Sequence, residues 1–279
     1  MAMDAEEKEV APRDQYMHGH HESVLRSHTW RTVENSAAYL VPHLSPGLDV
    51  LDLGCGPGTI TVDLARRVAP GRVIGVDASA EIVEHAAGYG VSSGVANVQF
   101  QTADAYALPF DDASFDVVHA HQVLQHLSRP VEALREALRV LKPGGVLAVR
   151  DVDYGGVLWY PALPGLQEWL DRYHEVARFD GGEPDAGRML KSWVRAAGFE
   201  RVECTASIWN FASDADRDWW GRSWAARATE SAFAAHAIEG GIADLEKLHE
   251  IAEAWLAWKD DADGWLAMPH GEVIARKAG

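Results

Sequence analysis

From residue 48 onwards, apolar residues come in short continuous runs that alternate with stretches of helical spacing. The runs at 48–53, 72–76, 97–102, 115–120 and 146–150 predict buried strands, with helices predicted at 59–68, 80–88 and 131–141. Unbroken apolar strands separated by helices indicate a parallel sheet covered on both faces. The expected fold is therefore α/β, a Rossmann-like doubly wound sheet with its ligand beyond the carboxyl ends of the strands.

Beyond residue 150 the pattern loosens. Prolines and paired glycines among aromatics predict an irregular insertion at about 152–187, followed by a helix at 188–197 and a sixth strand at 199–207. Residues 212–265 look mostly helical, too long a piece for a loop between strands, and 272–277 predicts a final strand. This gives a core at 41–208 and 268–279, a helical cap inserted at 209–267, and an N-terminal helical lid segment at 1–40. Of 11 Trp, all but Trp30 follow residue 150. Most are expected to pack the cap, with two or three lining the mouth of a site for an apolar or aromatic ligand.

The run "VLDLGCGPGTITVDLA" ends a strand in an acid and opens a helix through Gly54, Gly56 and Gly58. Such a turn gives either a pyrophosphate a helix N-terminus or a phosphate-free nucleoside room to lie against bare backbone. Asp52 precedes the turn, where a carboxylate repels a pyrophosphate and suits a cationic amine or sulfonium. Asp77 ends the second strand, placed to accept ribose hydroxyls. Asp104 ends the third, placed to receive an adenine amino group.

A formal charge of −17 disfavours phosphate backbones and anionic lipid, so neither a nucleic-acid nor a membrane partner is expected. No apolar run approaches the roughly 20 residues of a membrane helix. The acidic first ten residues do not resemble a secretory leader. With two cysteines only, Cys55 inside the turn and Cys204, a structural disulfide is not expected and a reducing cytoplasm fits best.

"VLDLGCGPG", "GVDAS", "TADAYALPFDDASFDVV" and "LRVLKPGGVLAV", in that order, resemble the signatures of class I S-adenosylmethionine-dependent methyltransferases, of the group that includes ubiquinone and menaquinone C-methyltransferases. The resemblance covers about residues 40–151 and implies a seven-stranded sheet whose last strand is antiparallel. It implies S-adenosylmethionine as cofactor, with S-adenosylhomocysteine as product. Carried over, Gly54, Cys55, Gly56 and Gly58 cradle the methionine portion and Asp77 binds the ribose, with Ala78 beside the adenine. Asp104 meets the adenine amino group with the Ala105 backbone nearby. His121 and Gln122, in "HAHQVLQHL", occupy the place that lines the sulfonium, where this chain departs from the commoner small residue at 121.

Seven histidines, at 18, 20, 21, 28, 119, 121 and 126, carry no cysteine or His-Glu-x-x-His context, so no metal is expected. The N-terminal segment is expected to close the site, with Tyr16, His20 and Arg31 reaching the methionine carboxylate or the acceptor. Sulfonium transfer needs alignment and water exclusion, and a base only where the acceptor loses a proton. The candidates are His20, His121 and Tyr154.

The leading reading is methyl transfer, to carbon, oxygen or nitrogen, on a small apolar or aromatic acceptor of natural-product or quinone-like metabolism, by a monomer or homodimer. The alternatives are a NAD(P)-dependent oxidoreductase on the same sheet and a cofactor-binding member without activity.

Overall fold

The computed structural model describes residues 29–279. Tyr16, His20 and most of the expected lid therefore lie outside the described residues. Strand β1 (Val50–Leu53) is buried throughout and sits between two parallel neighbours, β2 (Val73–Asp77) and β4 (Phe115–His121). That placement explains its unbroken apolar run, in which Asp52 is the single polar residue. Strand β3 (Val98–Thr102) extends one edge and β5 (Leu141–Val152) continues the other. Helices α2 (Thr59–Val68), α3 (Ala80–Ser92) and α4 (Pro130–Val140) cover the two faces. In α4, Ala133, Leu134, Ala137 and Val140 share one buried stripe, and Pro130 starts the helix where its missing N–H costs nothing.

The last strand, β8 (Trp265–Arg276), lies between β5 and β7 (Arg201–Phe211) and runs antiparallel to both. A short strand, β6 (Leu158–Tyr160), pairs with the start of β8 and makes the sheet eight-stranded rather than seven. Strand β8 begins at 265 where 272 was expected. Its first residues pair with β6 and the end of β7, partners that the local pattern does not reveal.

A second correction concerns 152–187. This segment contains α5 (Pro164–Phe179), whose buried Leu166, Trp169, Leu170, Tyr173, Val176 and Ala177 repeat at helical spacing. Flanking prolines and glycines mask that repeat in the sequence. After α6 (Ala186–Ala196), the remaining helices are α7 (Asp214–Glu230), α8 (Ala232–Glu239) and α9 (Leu245–Asp260). Helices α5, α7, α8 and α9 enclose their own core, centred on Trp169, Trp224 and Trp255. The Trp169 ring lies 4.7 Å from Trp224 and 4.8 Å from Trp255, mostly edge to face.

At the N-terminal end, a four-residue helix α1 (Val33–Ser36) and a 3-10 turn at Ala38–His43 pack across the sheet. The Trp209 indole donates to the carbonyl of Asn35 at 2.8 Å, tying this segment to β7. Among the described residues, no helix is long and apolar enough to cross a membrane.

Candidate active site

The parallel strands end at a cavity of about 260 Å³. Its floor is the glycine turn, in which Gly54, Gly56 and Gly58 all have positive φ. Two of the three also pack tightly: a Cβ on Gly54 would lie 2.4 Å from Val123 Cγ2, and one on Gly58 2.9 Å from Phe100. Gly56 meets nothing within 4 Å and opens on the cavity. It is the position that leaves room for a ligand.

Asp77 faces the same space. Its Oδ2 accepts from the Gly56 amide and its Oδ1 from the Ser79 amide, both at 3.1 Å. Two backbone donors hold the carboxylate in one orientation and leave lone pairs for paired hydroxyls. Ala78, Ala103 and Ala105 form the adjoining wall. Asp104 does not join them: its side chain is exposed and Oδ1 accepts from the Tyr106 amide at 2.8 Å. The tight Asp104–Ala107 bridge turns it away, so the wall here is small side chains and backbone.

Asp52 lies beneath the turn, 3% exposed. His119 Nδ1 donates to its Oδ1 at 2.7 Å and the Thr61 hydroxyl to its Oδ2 at 2.6 Å. The sequence suggested a carboxylate aimed at a cation. Asp52 lines the cavity, and both of its oxygens also engage buried protein contacts. Cys55 is buried beside Asp52 and Asp77, and burial together with their charges pushes its thiol up, so it stays protonated.

Opposite the glycine turn, Arg31, His121, Gln122 and His126 contribute polar groups. The Arg31 Nη2 donates to Gln122 Oε1 at 2.7 Å. Arginine can only donate, so the Gln122 amide nitrogen faces His270 Nε2, at 2.8 Å. His270 Nε2 therefore accepts, and its Nδ1 donates to the Met268 carbonyl at 3.0 Å. Burial and Arg150 hold His270 neutral. A non-glycine backbone in the left-handed region, φ 54 at Gln122, sets this side chain in place.

The same reasoning fixes His126. Gln125 Oε1 accepts from the Val152 amide, so Gln125 Nε2 donates to His126 Nε2 at 2.9 Å. Burial, with Arg31 nearby, pushes His126 down to about 3. His121 is different: it is 6% exposed and lines the cavity, and neither ring nitrogen has a hydrogen-bond partner among the described residues. Burial, then Arg150, Arg31 and His270, hold it well below the ordinary imidazole value.

Tyr154, the third candidate base, is not at the cavity. The turn after β5 sends it into the cap core, where its ring stacks on Tyr173 with centroids 3.7 Å apart and burial raises its hydroxyl. Accordingly, Tyr154→Phe should leave methyl transfer and cofactor affinity within about twofold of wild type, since a base normally contributes 10²–10⁴-fold. Kinetics and calorimetric titration check this. None of the tryptophans lines the cavity either, which corrects the expectation of an aromatic mouth. Most fill the cap core, as at Trp169, or cluster on Trp30, whose ring lies 5.1 Å from Trp209 and 5.4 Å from Trp219; Trp193 packs on the sheet core and Trp265 is exposed.

Several groups around the site carry no local sequence signal. Arg150 is buried over Trp209, 4.9 Å from the ring centroid, with Nε bonded to Ser207 Oγ and Glu272 Oε1; burial pushes it down to about 10. On the other face Asp151 is fully buried. Its Oδ1 accepts from the Gln125 amide at 3.2 Å, and burial pushes the carboxyl up to about 8.

A raised carboxyl binds its proton more tightly folded than unfolded. Stability is thus lost as pH rises from about 4 towards about 8. Asp151→Asn should remove that loss. We expect its melting temperature to match wild type near the lower pH and exceed it by several degrees near the upper, about 2 kcal/mol. Calorimetry across that range tests the slope; equal curves for the two proteins would refute it.

A doubly wound sheet, a glycine turn open at Gly56 and a braced carboxylate at Asp77 define a nucleoside-cofactor enzyme of the Rossmann-like class. Residues 44–197 match the methyltransferase domain family, and the chain belongs to that family. It is 34% identical over 276 residues to an uncharacterized methyltransferase of Schizosaccharomyces pombe, covering 95% of this chain and 98% of that one. Over 157 residues it is 36% identical to the 27-O-demethylrifamycin SV methyltransferase of Amycolatopsis mediterranei, covering 56% and 55% of the two chains. The crystal structure of the YcgJ protein of Bacillus subtilis shares the fold, with a TM-score of 0.56 and 19% identity over 87% of this chain and 97% of that one. The protein is an S-adenosylmethionine-dependent methyltransferase. This removes the oxidoreductase alternative.

Proposed function

We propose that this protein methylates a hydroxyl group of a small-molecule acceptor, with His121 receiving the proton that the hydroxyl gives up. The observation that carries this reading is His121 itself, a neutral imidazole in the cavity wall with neither ring nitrogen partnered among the described residues. The residues present fit the cofactor: Gly56 leaves space, Asp77 is held ready for paired hydroxyls, and Ala78, Ala103 and Ala105 form a flat wall. When bound, S-adenosylmethionine supplies an electrophilic methyl; its C–S bond breaks as a C–O bond forms, leaving a neutral thioether and one proton from the hydroxyl.

Around that exchange, the chain excludes water and orients. Arg31 and Gln122 close one side and fix His270, so that His121 is the group left to bond the acceptor. Carbon methylation would gain from aromatic walls facing developing positive charge, yet among the described residues no Phe, Tyr or Trp lines the cavity. The Amycolatopsis relative, named as acting on an oxygen of a natural product, agrees with the oxygen reading.

The acceptor is sought by incubating the protein and radiolabelled cofactor with a panel of phenols and alcohols and with cell extracts. His121→Asn should lower kcat by about 100-fold while leaving cofactor affinity within about threefold. Undiminished kcat in that variant, or label appearing only on carbon, would sink the proposal.

A further inference from the structure

The cavity has two chemically distinct ends. Asp77, with Ala78, Ala103 and Ala105, makes the end that suits a nucleoside. Opposite the glycine turn, Arg31, His121 and Gln122 make the other, which the cofactor's amino-acid portion shares with the acceptor. That portion of S-adenosylmethionine carries an α-carboxylate. Among the described residues lining the cavity, Arg31 is the one cationic side chain, because burial holds His121 and His126 below the ordinary imidazole value. A guanidinium presents its donors as a fork that matches a carboxylate.

An arginine on a loop loses rotamer entropy when it grips a ligand, unless the protein has already fixed it. Arg31 is fixed from three directions. Its Nη2 donates to Gln122 Oε1 at 2.7 Å, and its guanidinium carbon lies 5.7 Å from the centre of the Trp209 ring. The Trp209 indole also ties down the Asn35 carbonyl, four residues along the same segment. The first contact depends on which way the Gln122 amide points. Turned by 180°, the amide would set its NH2 against the guanidinium, donors facing donors. His270 prevents that turn, because its Nε2 accepts from the Gln122 amide nitrogen at 2.8 Å while its Nδ1 donates to the Met268 carbonyl. The His270 ring is 1% exposed, packs 4.4 Å from the Trp209 ring, and stands on β8 between β5 and β7. The bonds thus run in one direction, from a fixed carbonyl of the sheet to Arg31 at the cavity.

We propose that His270 is a positioning residue for the amino-acid end of the cofactor: it orients the Gln122 amide, which aims Arg31 at the α-carboxylate. A strap that only tied the N-terminal segment to the sheet would use the same bonds, but it would be indifferent to which ligand fills the cavity. The proposed arrangement is not indifferent. It favours a nucleoside bearing a carboxylate over a neutral one, and it makes a residue of the last strand set that preference. The inference goes beyond the hydroxyl reading and stands whichever atom of the acceptor is methylated.

The test is calorimetric titration of the full chain with two ligands, S-adenosylhomocysteine and 5′-methylthioadenosine, the second of which keeps the nucleoside and sulfur but has no amino-acid portion. Arg31→Met should weaken S-adenosylhomocysteine by about 50-fold and leave methylthioadenosine within about twofold. His270→Phe keeps a ring against Trp209 but offers no lone pair; it should weaken S-adenosylhomocysteine by about 10-fold, again sparing methylthioadenosine. His270→Gln restores an acceptor and should recover most of that loss. Because His270 acts through Arg31, the double variant should bind no more weakly than Arg31→Met alone. Gln122→Asn tolerates the left-handed backbone at this position but is one methylene too short to span both partners. It should reproduce the His270→Phe pattern, and it carries the test if His270→Phe does not fold. Asp77→Ala, on the nucleoside side, should weaken both ligands, which separates a failure of the cofactor's placement from a failure of this inference. Equal losses for the two ligands in His270→Phe would reduce the chain of bonds to a strap and overturn the proposal. Additive losses in the double variant, or unchanged S-adenosylhomocysteine affinity in Arg31→Met, would overturn it as well.

Discussion

Asp77→Ala should weaken S-adenosylmethionine binding by about 150-fold, roughly 3 kcal/mol, measured by calorimetric titration. The carboxylate is aimed by the Gly56 and Ser79 amides, so truncation does two things at once. It deletes a charged acceptor for two hydroxyls, and it leaves the Gly56 amide, at the one open position of the glycine turn, without its partner. Asp77→Asn separates the two effects. It keeps one acceptor oxygen in place and should recover part of the loss. Circular dichroism should show both variants folded, because Asp77 lies at the mouth of the cavity and not in its core. Affinity unchanged in Asp77→Ala would contradict the assignment of this carboxylate to the cofactor.

Trp255→Ala should cost about 4 kcal/mol, lowering the melting temperature by roughly 10 °C. Trp255 is fully buried and touches the rings of Trp169, Trp224 and Trp258, with centroids 4.8, 5.8 and 5.5 Å away. Removing it opens a cavity that four helices cannot collapse into, because their remaining rings brace one another. Its indole nitrogen has no hydrogen-bond partner among the described residues. Trp255→Phe therefore deletes an unsatisfied donor along with some volume and should cost far less, about 1 kcal/mol. Cofactor affinity of Trp255→Ala, measured in the cold where it is folded, should stay near wild type, since no cap tryptophan lines the cavity. A large loss of affinity there would mean that the cap shapes the cofactor site after all.

The sequence determined the sheet and the cofactor side of the site because both depend on local patterns. Unbroken apolar runs separated by helical spacing leave a parallel sheet as the way to bury them, and β1, β2, β4 and β5 follow from that; β3, Val-Gln-Phe-Gln-Thr at the sheet edge, alternates and has no buried residue. A glycine turn must sit where a strand feeds a helix, so Gly54, Gly56, Gly58 and Asp77 were legible from spacing. Asp52 was legible as a residue but not as a partner, because its neighbour His119 is 67 positions away. Two or three of the tryptophans were expected to line the site beside a packing majority, and in the structure none of them lines it. Apolar composition says that a ring is buried, not which side of a core it is buried on.

The acceptor side was decided only by tertiary structure. Gln122 and His270 meet across 148 residues, and Arg150, Glu272 and Ser207 come from three different strands. Cross-strand register brings them into one row, and register depends on pairings that no window of sequence contains. Tyr154 was misplaced for the same reason: position after a strand suggests a site, while the direction of the following turn decides it. The chain alone therefore specified the glycine turn and the carboxylate on which we place the nucleoside cofactor. Only the folded sheet decided that His121 faces the cavity with neither nitrogen partnered among the described residues.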